Sequence, residues 1–301
     1  NGFLIDDGVV ARIGDDQFLC HTTSGGADRI HAMMEDWLQC EWWDWQVFVT
    51  NLTEQFAQIA VAGPRARDLL TRLGGIDFRK SEFPFMSCQD GTLGGIPVRV
   101  FRISFSGELS YEIAVRAARG QELWSKIIEA GRGMSVREDG GFELMPYGTD
   151  ALHVLRAEKG YIMIGDETDG TVTPHDLGLT WAVSKKKPDF VGKRGLERAY
   201  LQDPERWKLV GLQTLDGSVL PEGAYIVSPG DNANGQRNTE GRVSSTYFSP
   251  VLNRGIALAL IQRGPDRMGD TVSVATSKTD VVQAKIVSAQ FYDPEGAEID
   301  P

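Results

Sequence analysis

No stretch of this sequence is apolar for long enough to cross a bilayer, and no basic segment leads into a short apolar core. Neither a membrane span nor a secretory leader is therefore expected, and a cytoplasmic protein is predicted. Cysteine is scarce. Cys20, Cys40 and Cys88 are odd in number, show no C-x-x-C spacing and have apolar neighbours. They predict buried free thiols in a reducing compartment, with no disulfide framework and no structural zinc. The four histidines, His21, His31, His153 and His175, form no H-x-H or H-x-x-x-H pair, so no metal site is expected. Basic residues are outnumbered, 31 Lys and Arg against 42 Asp and Glu, giving a net charge of -11. Without a basic stripe, neither nucleic acid nor an anionic membrane surface is expected as the main partner. Gly91-Thr92-Leu93-Gly94-Gly95 lacks the spacing and following helix of a dinucleotide-binding turn, and there is no Walker motif. Ser104-Phe105-Ser106-Gly107-Glu108 has no strand-to-helix context, which excludes a nucleophile elbow. Internal repeats and low-complexity tracts are also missing.

What is present is a soluble globular composition, 41% hydrophobic and 24% charged over 301 residues, long enough for two or three cores. The chain opens, without Met, on Asn1-Gly2-Phe3-Leu4-Ile5-Asp6-Asp7 and reads as a piece of something longer. In an extended segment successive side chains point to opposite faces, so one of Asp6 and Asp7 faces inward. Two readings of that carboxylate are open: a capping aspartate held by backbone N–H groups, or a general base facing a cationic intermediate.

Val9–Ile13 and Gln17–Thr22 around Gly14-Asp15-Asp16 predict a hairpin, and Ile30, Met33, Met34 and Trp37 a helix over 25–39. Trp42, Trp43, Trp45 and Phe48 lead into a predicted strand ending near Asn51. A second strand spans 56–61, followed by a helix with Ala66, Leu69, Leu70 and Leu73 on one stripe. Short strands follow through Val115, then a helix with Leu123, Trp124, Ile127 and Ile128 inward. This order predicts an α+β arrangement with helices on one face of an antiparallel sheet. Helices are expected over 146–159, closing at Gly160, and over 189–200, with a long functional loop over 161–179. Beyond Trp207, six alternating strands predict an all-β terminal domain of barrel or jelly-roll type. Glu112, alone in an apolar strand, should be paired or should bind a ligand. Arg156 and Glu158 sit two apart on a helix and so face apart, each free to reach a different domain. Lys185-Lys186-Lys187 is either a solvated turn or a contact for a polyanionic tail.

The double-Asp segment, Ala62-Gly63-Pro64-Arg65-Ala66, Ser106-Gly107-Glu108 with Tyr111-Glu112, and Leu155 to Tyr161 resemble, in order, blocks of the aminomethyltransferase family. That family comprises the glycine-cleavage T-protein and its relatives. Thr173-Pro174 through Trp181, Phe190 to Lys193 and Ser249-Pro250 through Ala259 extend the resemblance over nearly the whole chain. Within the family, Arg156 to Tyr161, Asp166 to Pro174 and Ser184 to Lys187 are most similar to the C-terminal folate-binding part of sarcosine oxidase α subunits.

The resemblance implies an aminomethyltransferase-type folate-binding fold, α+β with antiparallel lobes and a C-terminal β-barrel or jelly-roll lobe, with folate in a central channel. It divides the chain into a first lobe (1–44 and 146–200), a second (45–145) and a third (201–301). It places Asp7 on the catalytic carboxylate, Glu112 on the pterin-binding acid, and Phe105 and Tyr161 at folate-contacting aromatic positions. Phe105 stands where T-proteins have Tyr, and Leu152 where they have a folate-contacting Arg. The implied activity is capture by tetrahydrofolate of the methylene-imine formed on sarcosine oxidation, giving 5,10-methylenetetrahydrofolate and glycine. FAD, FMN and NAD are then expected elsewhere in a heterotetramer with β, γ and δ subunits. A stand-alone aminomethyltransferase or folate-dependent demethylase, a dimethylglycine dehydrogenase-like fragment and a non-catalytic folate-binding module are the alternatives.

Overall fold

Alternating side chains explain the sheet of the first of two units into which the chain divides, Asp6–Gly148 with Gly296–Pro301. The computed structural model describes residues 1–132, 134, 144–277 and 279–301. In chain order this unit holds β1 (Val10–Arg12), β2 (Phe18–Cys20), α1 (Ala27–Cys40), β3 (Phe56–Ala62), α2 (Ala66–Leu73), β4 (Cys88–Leu93), β5 (Ile96–Phe101), β6 (Ser110–Arg116) and α3 (Gly120–Arg132). Four strands pair antiparallel in the order β3-β6-β5-β4. Ile59, Val61, Val98, Val100, Tyr111, Ile113 and Val115 point to one face, where they pack with Leu69 and Leu70 of α2 and Leu123 and Ile127 of α3. The expected helices on one face are thus in place. The opposite face carries Phe101 and Ala114, and here the β1–β2 hairpin packs through Val9, Ala11 and Leu19.

Three expectations are corrected in this unit. The segment after the tryptophans, 47–51, belongs to no strand, and Phe48 is 93% exposed. Among the described residues no strand neighbours it, and the rings instead pack on one another, Trp42 stacking on Trp45 at 4.8 Å and edge-on to Trp37. Trp124 is exposed rather than inward, because the 100° step from buried Leu123 turns it off the apolar stripe. The cysteines are not buried: Cys20 and Cys40 are exposed and Cys88 is intermediate. Cys20 shares the outward side of β2 with Phe18, alternating with inward Leu19, and Cys40 ends α1. α1 itself is helical as expected but buries no residue completely.

The second unit comprises Asn1–Ile5 and Thr149–Glu295, with α4 (Thr149–Glu158), α5 (Lys193–Leu196) and strands β7 (Trp207–Thr214), β8 (Tyr225–Asp231), β9 (Arg237–Ser249), β10 (Arg254–Gln262), β11 (Thr271–Ala275) and β12 (Val281–Val287). The six strands close into a barrel in the order β10-β7-β12-β11-β8-β9, so closure, not a jelly roll, removes the sheet edges. Val210, Leu212, Ile226, Val243, Ala259, Val274 and Ile286 fill it. α4 ends as Gly160 predicts: Gly160 takes φ 76°, its N–H donates to Ala157 O, and Tyr161 N–H donates to Arg156 O, a Schellman closure. Its start is three residues later than expected. The helix expected over 189–200 shrinks to the single turn α5, because Gly192 turns left-handed at φ 94° immediately before it.

Arg156 and Glu158 do not reach different domains, since both find their partners within this unit. Arg156, fully buried, donates to Glu167 at 2.8 Å, Asp166 at 3.1 Å, Ser245 at 2.7 Å and Tyr247 at 3.2 Å. Glu167 in turn accepts from Met163 N–H, Ser244 and Ser245. Glu158 accepts from Ser249 at 2.6 Å, and burial pushes its carboxyl up. The irregular stretch 161–179 is therefore pinned by its carboxylates, including Asp176, which takes two donors from Thr173 and an ion pair from Arg206 at 2.6 Å. Arg206→Ala should leave that buried carboxylate short of its cation and lower stability by about 3–5 kcal/mol, the range for breaking a buried pair. Calorimetric unfolding checks this.

Candidate functional site

Asp6 and Asp7 face opposite ways, and the capping reading belongs to Asp6. Asp6 turns inward, its side chain 5% exposed, and is the held carboxylate. Its Oδ1 accepts from Asp7 N–H at 2.9 Å and Thr23 N–H at 3.0 Å, and its Oδ2 accepts from Thr23 Oγ1 at 3.1 Å and lies 3.7 Å from Arg29. Asp7 reaches solvent in the extended segment ahead of β1. Partial burial by surrounding atoms, then the neighbouring Asp6 charge, push its carboxyl above the ordinary 3.8. An exposed carboxylate of raised basicity beside a fixed anion is suited to accepting a proton.

Glu112 lies on β6 on the sheet face that the hairpin covers in part. Its cross-strand partner is Phe101, whose ring meets His21 edge-on at 4.6 Å and packs with Val9 and Ala11, two and four residues beyond Asp7. Asp7 and Glu112 therefore belong to one unit and to the same side of one sheet. The pairing expected for Glu112 exists: the Gln58 amide of β3 donates to its carboxylate. Burial nonetheless outweighs that hydrogen bond and raises the Glu112 carboxyl above its usual 4.5. Partial burial, then the nearby Glu112 charge, raise the Tyr147 hydroxyl.

Phe105 is half-buried in the loop between β5 and β6, in the same unit. Tyr161 belongs to the other unit, where burial and the Asp293 charge raise its hydroxyl. Leu152 is half-buried on α4. Gln58 and Tyr147 are additions that sequence reading did not find. Gln58 alternates with inward Ile59, a signal of which face it takes, but its register against β6 joins residues more than fifty apart. Nothing in either segment announces that pairing.

The GCVT N-terminal domain family model matches residues 1–187, and the glycine cleavage T-protein C-terminal barrel domain model matches residues 208–293. The chain belongs to the glycine cleavage T-protein family. It is 44% identical over 304 residues to the sarcosine oxidase subunit alpha of Corynebacterium sp. (strain P-1), covering all of this chain and 30% of that protein. To the sarcosine oxidase subunit alpha of Rhizobium meliloti (strain 1021) it is 37% identical, covering 99% and 30%. To the aminomethyltransferase of Thermotoga sp. (strain RQ2) it is 30% identical, covering 97% and 73%. The chain thus spans about a third of the length of the sarcosine oxidase subunits it matches. The crystal structure of glycine cleavage system aminomethyltransferase T from Bartonella henselae superposes with a TM-score of 0.76 at 22% identity, over 97% of this chain and 73% of that one. The aminomethyltransferase fold expected from the sequence, with its terminal barrel, is the fold found.

Proposed function

We propose that this chain is the tetrahydrofolate-binding, one-carbon-transfer part of a sarcosine oxidase α subunit. In this reading it captures the methylene-imine from sarcosine oxidation to give 5,10-methylenetetrahydrofolate and glycine. The observation that carries the proposal is the placement of Asp7, exposed and of raised basicity, on the same side of one sheet as the half-buried acceptor Glu112. The residues fit the ligand. A pterin ring offers a row of N–H donors, and Glu112, whose burial is only partly offset by Gln58, has acceptor capacity to receive them. Tyr147 and Phe105 supply aromatic surface in the same unit, and we assign Tyr161 a further aromatic contact. Similarity to subunits named alpha supports membership of a larger assembly, for which we propose β, γ and δ subunits, with FAD, FMN and NAD held elsewhere. The three-lobe division of the sequence belongs to the same proposal.

Reduced folate supplies two nucleophilic nitrogens. Written for the neutral imine, both of their hydrogens end on the nitrogen of the departing glycine, so a group must accept a proton and return it. Asp7 fills that role, and the competing reaction with water releases formaldehyde instead. Because the Asp7 carboxyl is raised, the share of carbon delivered to folate should fall, as pH drops, at a higher pH than an ordinary aspartate would give. Asp7→Asn should abolish that acid limb. The product ratio measured against pH checks both.

Glu112→Gln tests the binding half. Losing a hydrogen bond to a charged group costs about 1.5–3 kcal/mol, which weakens tetrahydrofolate binding roughly 10- to 150-fold. At a hundredfold excess over the dissociation constant, bound folate should stabilise the wild-type protein by about 2.7 kcal/mol. At the same concentration the variant should lose most of that gain. Equal folate-dependent thermal shifts in the two proteins would remove Glu112 from the site.

A further inference from the structure

The Asp6 carboxylate occupies a seat with no room to spare. A Cβ on Gly26 would lie 1.9 Å from Asp6 Oδ2 and 2.7 Å from Thr23 Oγ1, so only glycine at that position lets the carboxylate sit there. Thr23 donates to it twice and Arg29 balances its charge. The hydrogen bond from Asp7 N–H to Oδ1 leaves this seat. On the other side of Asp7 the backbone is held again. Gly8 passes so close to β2 that a Cβ would lie 2.0 Å from His21 O, and His21 N–H donates to Val9 O at 2.9 Å. The Asp7 backbone is thus clamped at both ends while its side chain is left facing solvent.

We propose that Asp6 is a positioning residue: seated by Thr23, Gly26 and Arg29, it fixes the backbone of Asp7 through the Asp7 N–H and so aims the Asp7 carboxylate at the reacting nitrogens. The catalytic part of this inference rests on the reading of Asp7 given above. The physical reason for such a clamp is that proton transfer needs heavy atoms at hydrogen-bond distance. A displacement of about 1 Å can cost on the order of 10²-fold in rate, and an exposed aspartate on an unclamped segment would wander by that much. The charge of Asp6 serves the same end by raising the basicity of its neighbour.

The test uses the full-length protein with its partner subunits and two variants of the seat. Asp6→Ala removes the acceptor, and Gly26→Ala displaces it while leaving both aspartates in place. Both should lower the ratio of methylenetetrahydrofolate to formaldehyde by roughly 10²-fold, with tetrahydrofolate affinity held within about twofold. Asp6→Asn retains an oxygen for the Asp7 and Thr23 N–H groups and should recover most of the ratio. A structural role would instead lower the melting temperature and leave the ratio unchanged, and that result overturns the proposal. So would an Asp6→Asn variant no better than Asp6→Ala. Hydrogen exchange at the Asp7 amide separates this inference from the catalytic reading. Faster exchange in Asp6→Ala, together with an unchanged ratio in Asp7→Asn, would leave the clamp standing and refute the role of Asp7. Unchanged exchange would refute the clamp.

Discussion

Asp7→Asn will divert the one-carbon unit from folate to free formaldehyde. The substitution preserves size and the hydrogen bond from residue 7 N–H to Asp6 Oδ1, so the backbone stays seated. What is lost, on the proposed reading, is a base. Proton transfer by a positioned side chain is worth roughly 10²–10⁴-fold, and the trapping rate should fall by that factor while water continues to compete at its own rate. Asp6→Asn cannot serve as a control, because Asp6 holds Thr23, Arg29 and the Asp7 amide. Asp16→Asn, on the exposed turn of the same hairpin, is the appropriate control and should leave the product ratio unchanged. Labelled sarcosine methyl carbon, followed into methylenetetrahydrofolate and formaldehyde, gives the ratio directly.

The largest effect on stability should come from the barrel-side network. Glu167 is fully buried and accepts four hydrogen bonds, one each from Arg156, Met163 N–H, Ser244 and Ser245. Glu167→Ala leaves the Arg156 guanidinium, also fully buried, with only half-buried Asp166 as an anionic partner among the described residues. Breaking a buried pair from one side costs about 3–5 kcal/mol, since the remaining charge has lost its solvation without compensation. For a unit of this size that corresponds to roughly 6–20 °C in melting temperature. Replacing both partners, Arg156→Met with Glu167→Leu, should recover much of the loss, because no orphaned charge remains. Calorimetry on the single and double variants measures the coupling. A single variant within about 1 kcal/mol of wild type would mean that water or Asp166 already satisfies Arg156.

The sequence reveals most where the signal is local. All six barrel strands are legible because each is a short run of strand-forming residues bounded by turn residues, and α4 is legible at its end because Gly160 takes the left-handed conformation its position requires. The segment 47–51 misleads because β propensity in Val47, Phe48 and Val49 cannot report whether a neighbouring strand exists. Cys20 misleads because its apolar neighbour Leu19 alternates to the opposite face, and Cys40 because it ends a helix that buries no residue completely. For the site, the double aspartate and Glu112 stand out as charges in apolar strands, yet which of Asp6 and Asp7 turns inward depends on Thr23 and Gly26, seventeen and twenty residues away. Gln58 is invisible for the same reason, since it meets Glu112 only through non-local strand pairing.

The central claim, that the side of the sheet bearing Asp7 and Glu112 receives reduced folate, is tested most directly by a crystal structure of the full-length protein soaked with tetrahydrofolate. The predicted result is a pterin ring whose N–H edge lies within hydrogen-bond distance of a Glu112 carboxylate oxygen, with the Asp7 carboxylate close enough to a folate ring nitrogen to take its proton. A pterin bound elsewhere in the protein, with Glu112 still engaged only by Gln58 and Asp7 facing solvent, would contradict it.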